Sequence, residues 1–410
     1  MSNNINKSVA YFIMPRSSSD WKGAEGLWIT TAGWAAAGER RFGEAYVLTT
    51  DRAAKPAEVV KYPIVREGGS HRSFFKRLTK FFPQAFITLV NDILLWRTSK
   101  EDKNYEFSYP GDGKRVALVW EQHDFFPGNG YRLAKRNNAP FVIYVHAPQV
   151  WEAKKWGVKR PIWGKLLEKM ESRSLRRADA VACVSSLVAE KLESMGVEKE
   201  KIVVSPMAVD PFLYLKLDTT DIEEEYNLKD KFVIGWTGSF RSFHGLERLV
   251  ETFQKVHQKL EKAHLFLVGD GEELSKIKNM VKELGLENAV SFPGRMSFER
   301  MTKFVHVFDV AILSARSASD FHYSPLKLRE YLKAGKATLA PNAGEVPQMF
   351  KNDVHLKLYQ LDDVEGTANI LLNLSKDPDE RDKLGKEGRK YILENGTWDV
   401  ELKKVMEKLS

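Results

Sequence analysis

Val310-Ala311-Ile312-Leu313, then Ser324-Pro325-Leu326-Lys327-Leu328-Arg329-Glu330-Tyr331-Leu332-Lys333-Ala334-Gly335-Lys336, then Ala337-Thr338-Leu339-Ala340: an apolar run, a helix-length segment and a second apolar run. Short continuous apolar runs suit strands buried on both faces, and strand, helix, strand is the repeating unit of a parallel α/β sheet. Pro325 suits the first turn of the helix and Gly335 its end. Outward from this stretch the rhythm repeats in Phe232 to Trp236, His264 to Val268 and Ala289 to Phe292. It is present again in Val9 to Met14, Ala45 to Thr49, Val116 to Trp120, Phe141 to Val145, Ala180 to Val184 and Lys201 to Ser205. Two doubly wound sheets are the predicted architecture.

The chain has 410 residues, 43% of them hydrophobic, which exceeds one ordinary core and suits two domains. The acidic, polar stretch Asp218 to Asp230 separates the two series of strands. We therefore expect an N-terminal Rossmann-like domain over 1–215, a linker over 216–230 and a second Rossmann-like domain over 231–395. Residues 396–410 read as a helix, restarting after Glu394-Asn395-Gly396 and crossing back to the first domain. The single cysteine, Cys183, has no intramolecular partner, which predicts a reducing, cytoplasmic setting. Residues Met1 to Lys7 lack the apolar core of a secretion signal, and the apolar stretch Ala85 to Trp96 is too short to cross a bilayer. Lysine and arginine exceed aspartate and glutamate by 63 to 55, a net charge of +8, so anionic partners are favoured.

The segment from Ser324 to Lys336 opens a helix behind a buried strand. Its backbone N–H groups and positive helix end suit a diphosphate at the carboxyl edge of the sheet. Glu330, more than one turn further on, is placed to accept hydrogen bonds from a ribose diol. A capped surface helix ending at Gly335 fits the same residues. The loop Gly238-Ser239-Phe240-Arg241-Ser242-Phe243-His244-Gly245 also joins a strand to a helix, its small residues admitting an anion and Arg241 and His244 offering charge. Gly269-Asp270-Gly271 and Gly294-Arg295 follow further strands. Each is an ordinary turn by itself; four such loops on one edge point to a nucleotide pocket.

These motifs resemble those of glycosyltransferase family 4, a group with the GT-B fold of two Rossmann-like domains facing across a cleft. The likeness spans nearly the whole chain and is strongest from Val233 to Asp399. It rests on Gly238 to Gly245, Leu265-Phe266-Leu267-Val268-Gly269-Asp270-Gly271, Val290-Ser291-Phe292-Pro293-Gly294 and the Ser324 to Gly335 block. The resemblance implies a retaining transfer of sugar from a nucleotide-diphosphate donor. The family pairs two glutamates separated by seven residues: Glu330 matches the second, on the ribose, and His322 stands in place of the first, near the donor sugar. The family's phosphate-binding arginine and lysine fall at Ser239 and His244, which leaves Arg241 or Lys327 to supply the charge. A variant subgroup combines the His-Gly and Ser-Pro-Leu-Lys-Leu elements found here. On this likeness Gly238, Ser239, Arg241, His244, Gly269, Gly294, Arg295, Leu326, Lys327 and Glu330 are the candidate donor site.

In the first half, Lys22-Gly23-Ala24-Glu25-Gly26 resembles the family's glycine loop between the two substrates, so Gly23 and Gly26 are acceptor-side candidates. Glu121-Gln122-His123 follows a strand where relatives carry a histidine facing the transferred sugar. His123 and His322 are thus the catalytic candidates, and His146, after Phe141 to Val145, a further acceptor-side one. A histidine that merely caps a loop is the alternative for His123. No pair of carboxylates stands out as acid and base, which fits a retaining reaction in which the leaving diphosphate assists the acceptor and the protein positions and stabilises charge. Asp377-Pro378-Asp379 reads as a helix N-cap in place of a metal motif, and neither a cofactor nor an essential metal is expected.

From His71 to Phe82, Arg72, Lys76 and Lys80 recur at four-residue spacing among Phe74, Phe75, Leu78, Phe81 and Phe82. As a helix this suits an anionic membrane surface, and it equally suits a helix packed on the first sheet with its lysines outward. Trp151, Lys154, Lys155, Trp156, Lys159, Arg160 and Trp163 extend the same chemistry. The expected partners are a UDP-, GDP- or dTDP-linked sugar, a glycan or lipid-linked acceptor and the inner face of the cell membrane, with nucleic acid excluded. The rival readings are a GT-B nucleotide-sugar epimerase and a basic nucleic-acid-binding protein.

Overall fold

The apolar runs become strands because both their faces are covered: Val9 to Phe12, Phe141 to Val145 and Phe232 to Thr237 are buried at every position. The computed structural model describes residues 8–18, 25–61, 83–102, 109–111, 113–213, 217–318 and 324–410. The chain divides into two units, Met1–Pro206 with Trp398–Ser410, and Met207–Thr397.

In chain order the first unit holds β1 (Ser8–Ile13), α1 (Glu25–Phe42), β2 (Gly43–Leu48), β3 (Ala53–Ala54), α2 (Pro56–Val60) and α3 (Gln84–Asp102). It continues with β4 (Val116–Gln122), α4 (Gly130–Asn137), β5 (Phe141–Val145), α5 (Gln149–Lys155), α6 (Trp163–Leu175), β6 (Ala180–Cys183), α7 (Ser186–Ser194) and β7 (Ile202–Val204). Its sheet has the order β3-β2-β1-β4-β5-β6-β7, parallel except for the short β3.

The second unit holds α8 (Thr220–Glu225), β8 (Phe232–Thr237), α9 (Leu246–Lys259), β9 (Ala263–Val268), α10 (Leu274–Glu283), β10 (Val290–Gly294) and α11 (Phe298–Val307). There follow β11 (Val310–Ile312), α12 (Leu326–Lys333), β12 (Ala337–Pro341), α13 (Val346–Met349), β13 (Lys357–Tyr359), α14 (Val364–Lys376) and α15 (Pro378–Asn395). Its order is β10-β9-β8-β11-β12-β13, parallel throughout.

Helix α9 illustrates why these segments fold as they do. Leu246, Leu249, Val250, Phe253 and Val256 recur at three- and four-residue spacing and are all buried, in one cluster with Ile234, Leu265 and Leu267 of the sheet. Each such side chain contributes about 1.5 to 3 kcal/mol by leaving water. Truncating Phe253 to alanine is the single change that would damage this packing most, at about 3 to 5 kcal/mol.

Residues 216–230, read as a linker, contain α8, and Ile222 and Leu228 pack in the second unit with Val233, Phe266 and Phe304. The last helix, α16 (Trp398–Lys408), belongs to the first unit. The Trp398 ring packs tilted against Trp34 of α1, their centroids 4.9 Å apart, and Arg40 grips Asp399 at 2.6 Å. Gly33 permits this, because a side chain there would collide with the Trp398 indole. Asp377 caps α15 by accepting the Glu380 N–H at 2.8 Å, as the proline-flanked motif predicts.

Candidate functional site

In a doubly wound sheet the ligand crevice opens where strand order reverses, beyond the carboxyl ends of the two strands on either side. The reversal lies between β1 and β4 in the first sheet, and between β8 and β11 in the second. Residues following β4 and β8 therefore stand at the two topological switch points. These are His123 and the loop that opens at Gly238.

The second switch point is built by close backbone stacking. Gly238 has φ 149°, and its N–H donates to the Val268 carbonyl at 2.9 Å. Gly269 has φ 137°, and a Cβ there would strike the Gly238 carbonyl oxygen. Glycine is required at such positions on both conformational and steric grounds. From the far side, Lys327 in the first turn of α12 reaches into this loop. Its ammonium lies 4.4 Å from the Trp236 ring centroid and 3.5 Å from His244 Nε2, and a Cβ on Gly238 would be 2.5 Å from it.

Among the described residues no carboxylate pairs with Lys327. Burial pushes its ammonium down to about 7, because the charged form loses water without gaining an anion. His244 is held down at about 2, first by burial and then by the positive charges of Lys327 and Arg241. Its Nδ1 has no hydrogen-bond partner among the described residues. A neutral imidazole, a desolvated ammonium and bare glycine backbone thus converge at the N-terminal end of α12. The arrangement is chemically suited to an anion.

Glu330 is one turn along α12, buried, with Oε2 2.6 Å from Lys333 Nζ. Both side chains are almost wholly enclosed, a close buried charge pair whose facing atoms, Glu330 Oε2 and Lys333 Nζ, have no hydrogen-bond partner among the described residues. Tyr331 ties the same helix to β8 by accepting the Thr237 N–H at 2.8 Å. Other sequence-predicted residues lie further out. Ser239, Arg241 and Arg295 are exposed, Leu326 is half-buried at the helix start, and Gly294 with φ 82° ends the edge strand β10. His322 and Gly23 lie outside the described residues, as does the basic segment from His71 to Phe82.

At the first switch point His123 is buried, its Nε2 2.6 Å from Glu171 Oε1 of α6. That oxygen also accepts the Gln149 N–H at 2.6 Å, at the start of α5. The Nε2 side of the ring is thus taken up by the carboxylate, which fixes the ring's orientation and leaves its Nδ1 side for another partner. His146 follows the neighbouring strand; burial is the chief cause that depresses it to about 4. Next to His123, the buried Asp124 pairs with the half-buried Arg16, which follows β1. Gly26 is exposed in the first turn of α1.

Sequence reading passed over Glu171, Lys333, Arg16 and Asp124. An i,i+3 Glu-Lys pair was visible at 330 and 333, but its burial was not. Glu171 sits 48 residues from His123, and only the fold joins them.

Two Rossmann-like units, each with its polar cluster at a switch point, define a protein of GT-B fold. Residues 26–212 match the model described as Glycosyltransferase Family 4, and residues 218–391 the model described as Glycosyl transferases group 1. The chain belongs to glycosyltransferase family 4. It is 26% identical over 222 residues to the N-acetyl-alpha-D-glucosaminyl L-malate synthase of Bacillus anthracis, covering 54% of this chain and 56% of that protein. Over 228 residues it is 26% identical to the lipopolysaccharide core biosynthesis glycosyltransferase LpsE of Rhizobium meliloti, covering 53% and 60%. The matched region thus spans little more than half the length of these curated relatives. Anabaena HepE, solved in complex with UDP and glucose, superposes with a TM-score of 0.63 at 16% identity, covering 98% of this chain and 99% of that one. Among the described residues no helix is long and apolar enough to cross a membrane.

Proposed function

We propose that this chain is a retaining glycosyltransferase that moves a sugar from a nucleotide-diphosphate donor to a hydroxyl acceptor. The observation that carries the reading is Lys327: an ammonium desolvated against Trp236 and Gly238, with no carboxylate among the described residues to neutralise it, beside the N-terminus of α12. A diphosphate supplies the missing charge. It would bridge Lys327, the α12 amides and the Gly238 loop, with Arg241 approaching from solvent and Glu330 accepting from the ribose. UDP is the first donor base to test, since HepE was solved with it; GDP and dTDP are the alternatives.

On the acceptor side, His123 is the residue we assign to the reacting centre, oriented through Glu171. The substrate reaction needs no protein nucleophile in this reading. The enzyme stabilises charge building on the leaving diphosphate, and the departing oxygen takes the acceptor's proton. A surface glycan or lipid-linked acceptor, met by a protein lying on the membrane, fits the relatives that build such glycans. No metal or cofactor enters the proposal.

The test is a thermal-shift screen of nucleoside diphosphates and their sugars, followed by product analysis with candidate acceptors. A ligand at 100 times its dissociation constant raises stability by about 2.7 kcal/mol. Stabilisation by a nucleoside diphosphate but not by the matching nucleoside supports the site. An epimerase would instead convert the nucleotide sugar without acceptor. A nucleic-acid-binding protein would prefer oligonucleotides, with a steep salt dependence.

A further inference from the structure

Helix α3 is built inside out. Thr88 and Asp92, one turn apart, are buried, while Phe86, Val90, Ile93 and Leu94, which share a helical face, are exposed, Ile93 at 51%. The inward carboxylate explains how this orientation holds. Asp92 receives Nε and Nη2 of Arg160 at 2.8 and 2.9 Å and the Trp163 indole N–H at 2.9 Å. Arg160 and Trp163 stand at the start of α6, so Asp92 pins α3 to that helix. Leu95 adds an inward contact with the cluster of Phe125, Phe126 and Leu167, but a carboxylate inside and four exposed hydrocarbons outside reverse the order of an ordinary surface helix.

Helix α6 continues the pattern. Ile162 just before it, Leu166 and Met170 recur every four residues and are exposed at 87%, 61% and 39%. Lys165, Lys169 and Arg173 recur at the same spacing, all exposed, forming a cationic row beside the apolar one. Lys154, Lys155 and Lys159 are exposed just upstream. The carboxylates of this helix are engaged elsewhere: Glu168 binds Lys191 and Glu171 binds His123.

We infer that the α3–α6 face is a docking surface for an anionic phospholipid bilayer. The inference gives a location to the membrane association included in the proposed function. An apolar row flanked by cations matches the two chemistries of a lipid surface, acyl chains below and phosphates at the level of the lysines. A second copy of this chain fits worse, because an isologous contact would set like-charged rows against each other. Nucleic acid also fits worse, because the row beside the α6 cations, Ile162, Leu166 and Met170, provides no flat ring on which a base can stack, the exposed rings Phe86, Trp96 and Trp156 standing outside it.

Flotation of the full chain with vesicles tests the assignment by protein mass alone, without turnover. Vesicles of phosphatidylcholine with phosphatidylglycerol should carry the protein upward, and phosphatidylcholine alone should not. Replacing Lys165, Lys169 and Arg173 with glutamine should lower partitioning roughly a hundredfold, at about fivefold per cation near the surface. Replacing Ile162, Leu166 and Met170 with serine should reduce it at low and high salt alike. These six side chains are exposed, so unchanged melting temperatures are expected. The inference is overturned if the wild type ignores lipid charge or if both triple variants float like wild type. It is equally overturned if the protein is a dimer that the serine variant splits, or if it binds oligonucleotides through this face while ignoring vesicles. An active transferase that stays with the soluble fraction sinks only the docking surface; a floating protein that ignores every nucleoside diphosphate sinks only the function.

Discussion

Each unit places a histidine beyond a strand at the switch point of its sheet, and the two are given opposite neighbours. His123 meets a buried carboxylate, Glu171, at 2.6 Å; His244 meets an ammonium, Lys327, at 3.5 Å. The first arrangement orients an imidazole by hydrogen bonding through one ring nitrogen and leaves the other for a ligand. The second keeps the imidazole uncharged and concentrates positive charge beside it. One scaffold used twice thus yields a site suited to hydrogen bonding on one sheet and to anion binding on the other. The difference comes from one residue on a following helix in each case.

The largest effect is expected at Glu330. Glu330→Ala leaves Lys333 buried without its counter-charge, which should cost about 3 to 5 kcal/mol of stability. Chemical denaturation measures it. The double replacement Glu330→Gln with Lys333→Met should recover most of that loss without recovering nucleotide affinity. If the double variant binds nucleotide normally, Glu330 serves the fold and the ribose assignment fails.

His123→Ala should lower kcat roughly ten- to a thousandfold, about 1.4 to 4 kcal/mol, with nucleotide affinity barely changed. Because the ring is buried, melting temperature must be read beside turnover. A stability loss with normal turnover would return His123 to a loop-capping role. Glu171→Gln should act in the same direction and more weakly, since the amide still accepts from Nε2.

The smallest expected effect is in pH dependence. Lys327 has its proton held at about 7, below the ordinary lysine value of 10.5. A bound diphosphate favours the charged form, so binding should take up a proton above pH 7. Affinity should therefore fall as pH rises, by up to about tenfold per unit, until the pKa of the bound state is reached. Lys327→Arg, which does not titrate in this range, should flatten the profile.

The strands and the Gly238 and Ser324 motifs were legible because they depend on local signals: continuous apolar runs, glycines at turns, proline before a helix. The short β13 from Lys357 to Tyr359 carried no such run, being an edge strand of three residues. The sequence shows Ala85 to Trp96 only as an apolar stretch too short to cross a bilayer, and which face of that helix is buried is not legible in it. The buried face of the helix from Gln84 to Asp102 carries Thr88, Asp92 and Leu95, because Arg160 and Trp163, at and just before the start of a different helix, satisfy the carboxylate. Glu171 and Lys333 escaped for the same reason, since a carboxylate or an ammonium reads as solvated until its partner is known.

The central claim is that Lys327 and the loop at Gly238 hold a diphosphate. Calorimetric titration of wild type and Lys327→Gln with a nucleoside diphosphate and its parent nucleoside tests it most directly. The account predicts a loss of about 1.5 to 3 kcal/mol for the diphosphate, the range for a hydrogen bond to a charged group, and no change for the nucleoside. Equal losses for both ligands, or none for the diphosphate, would contradict it.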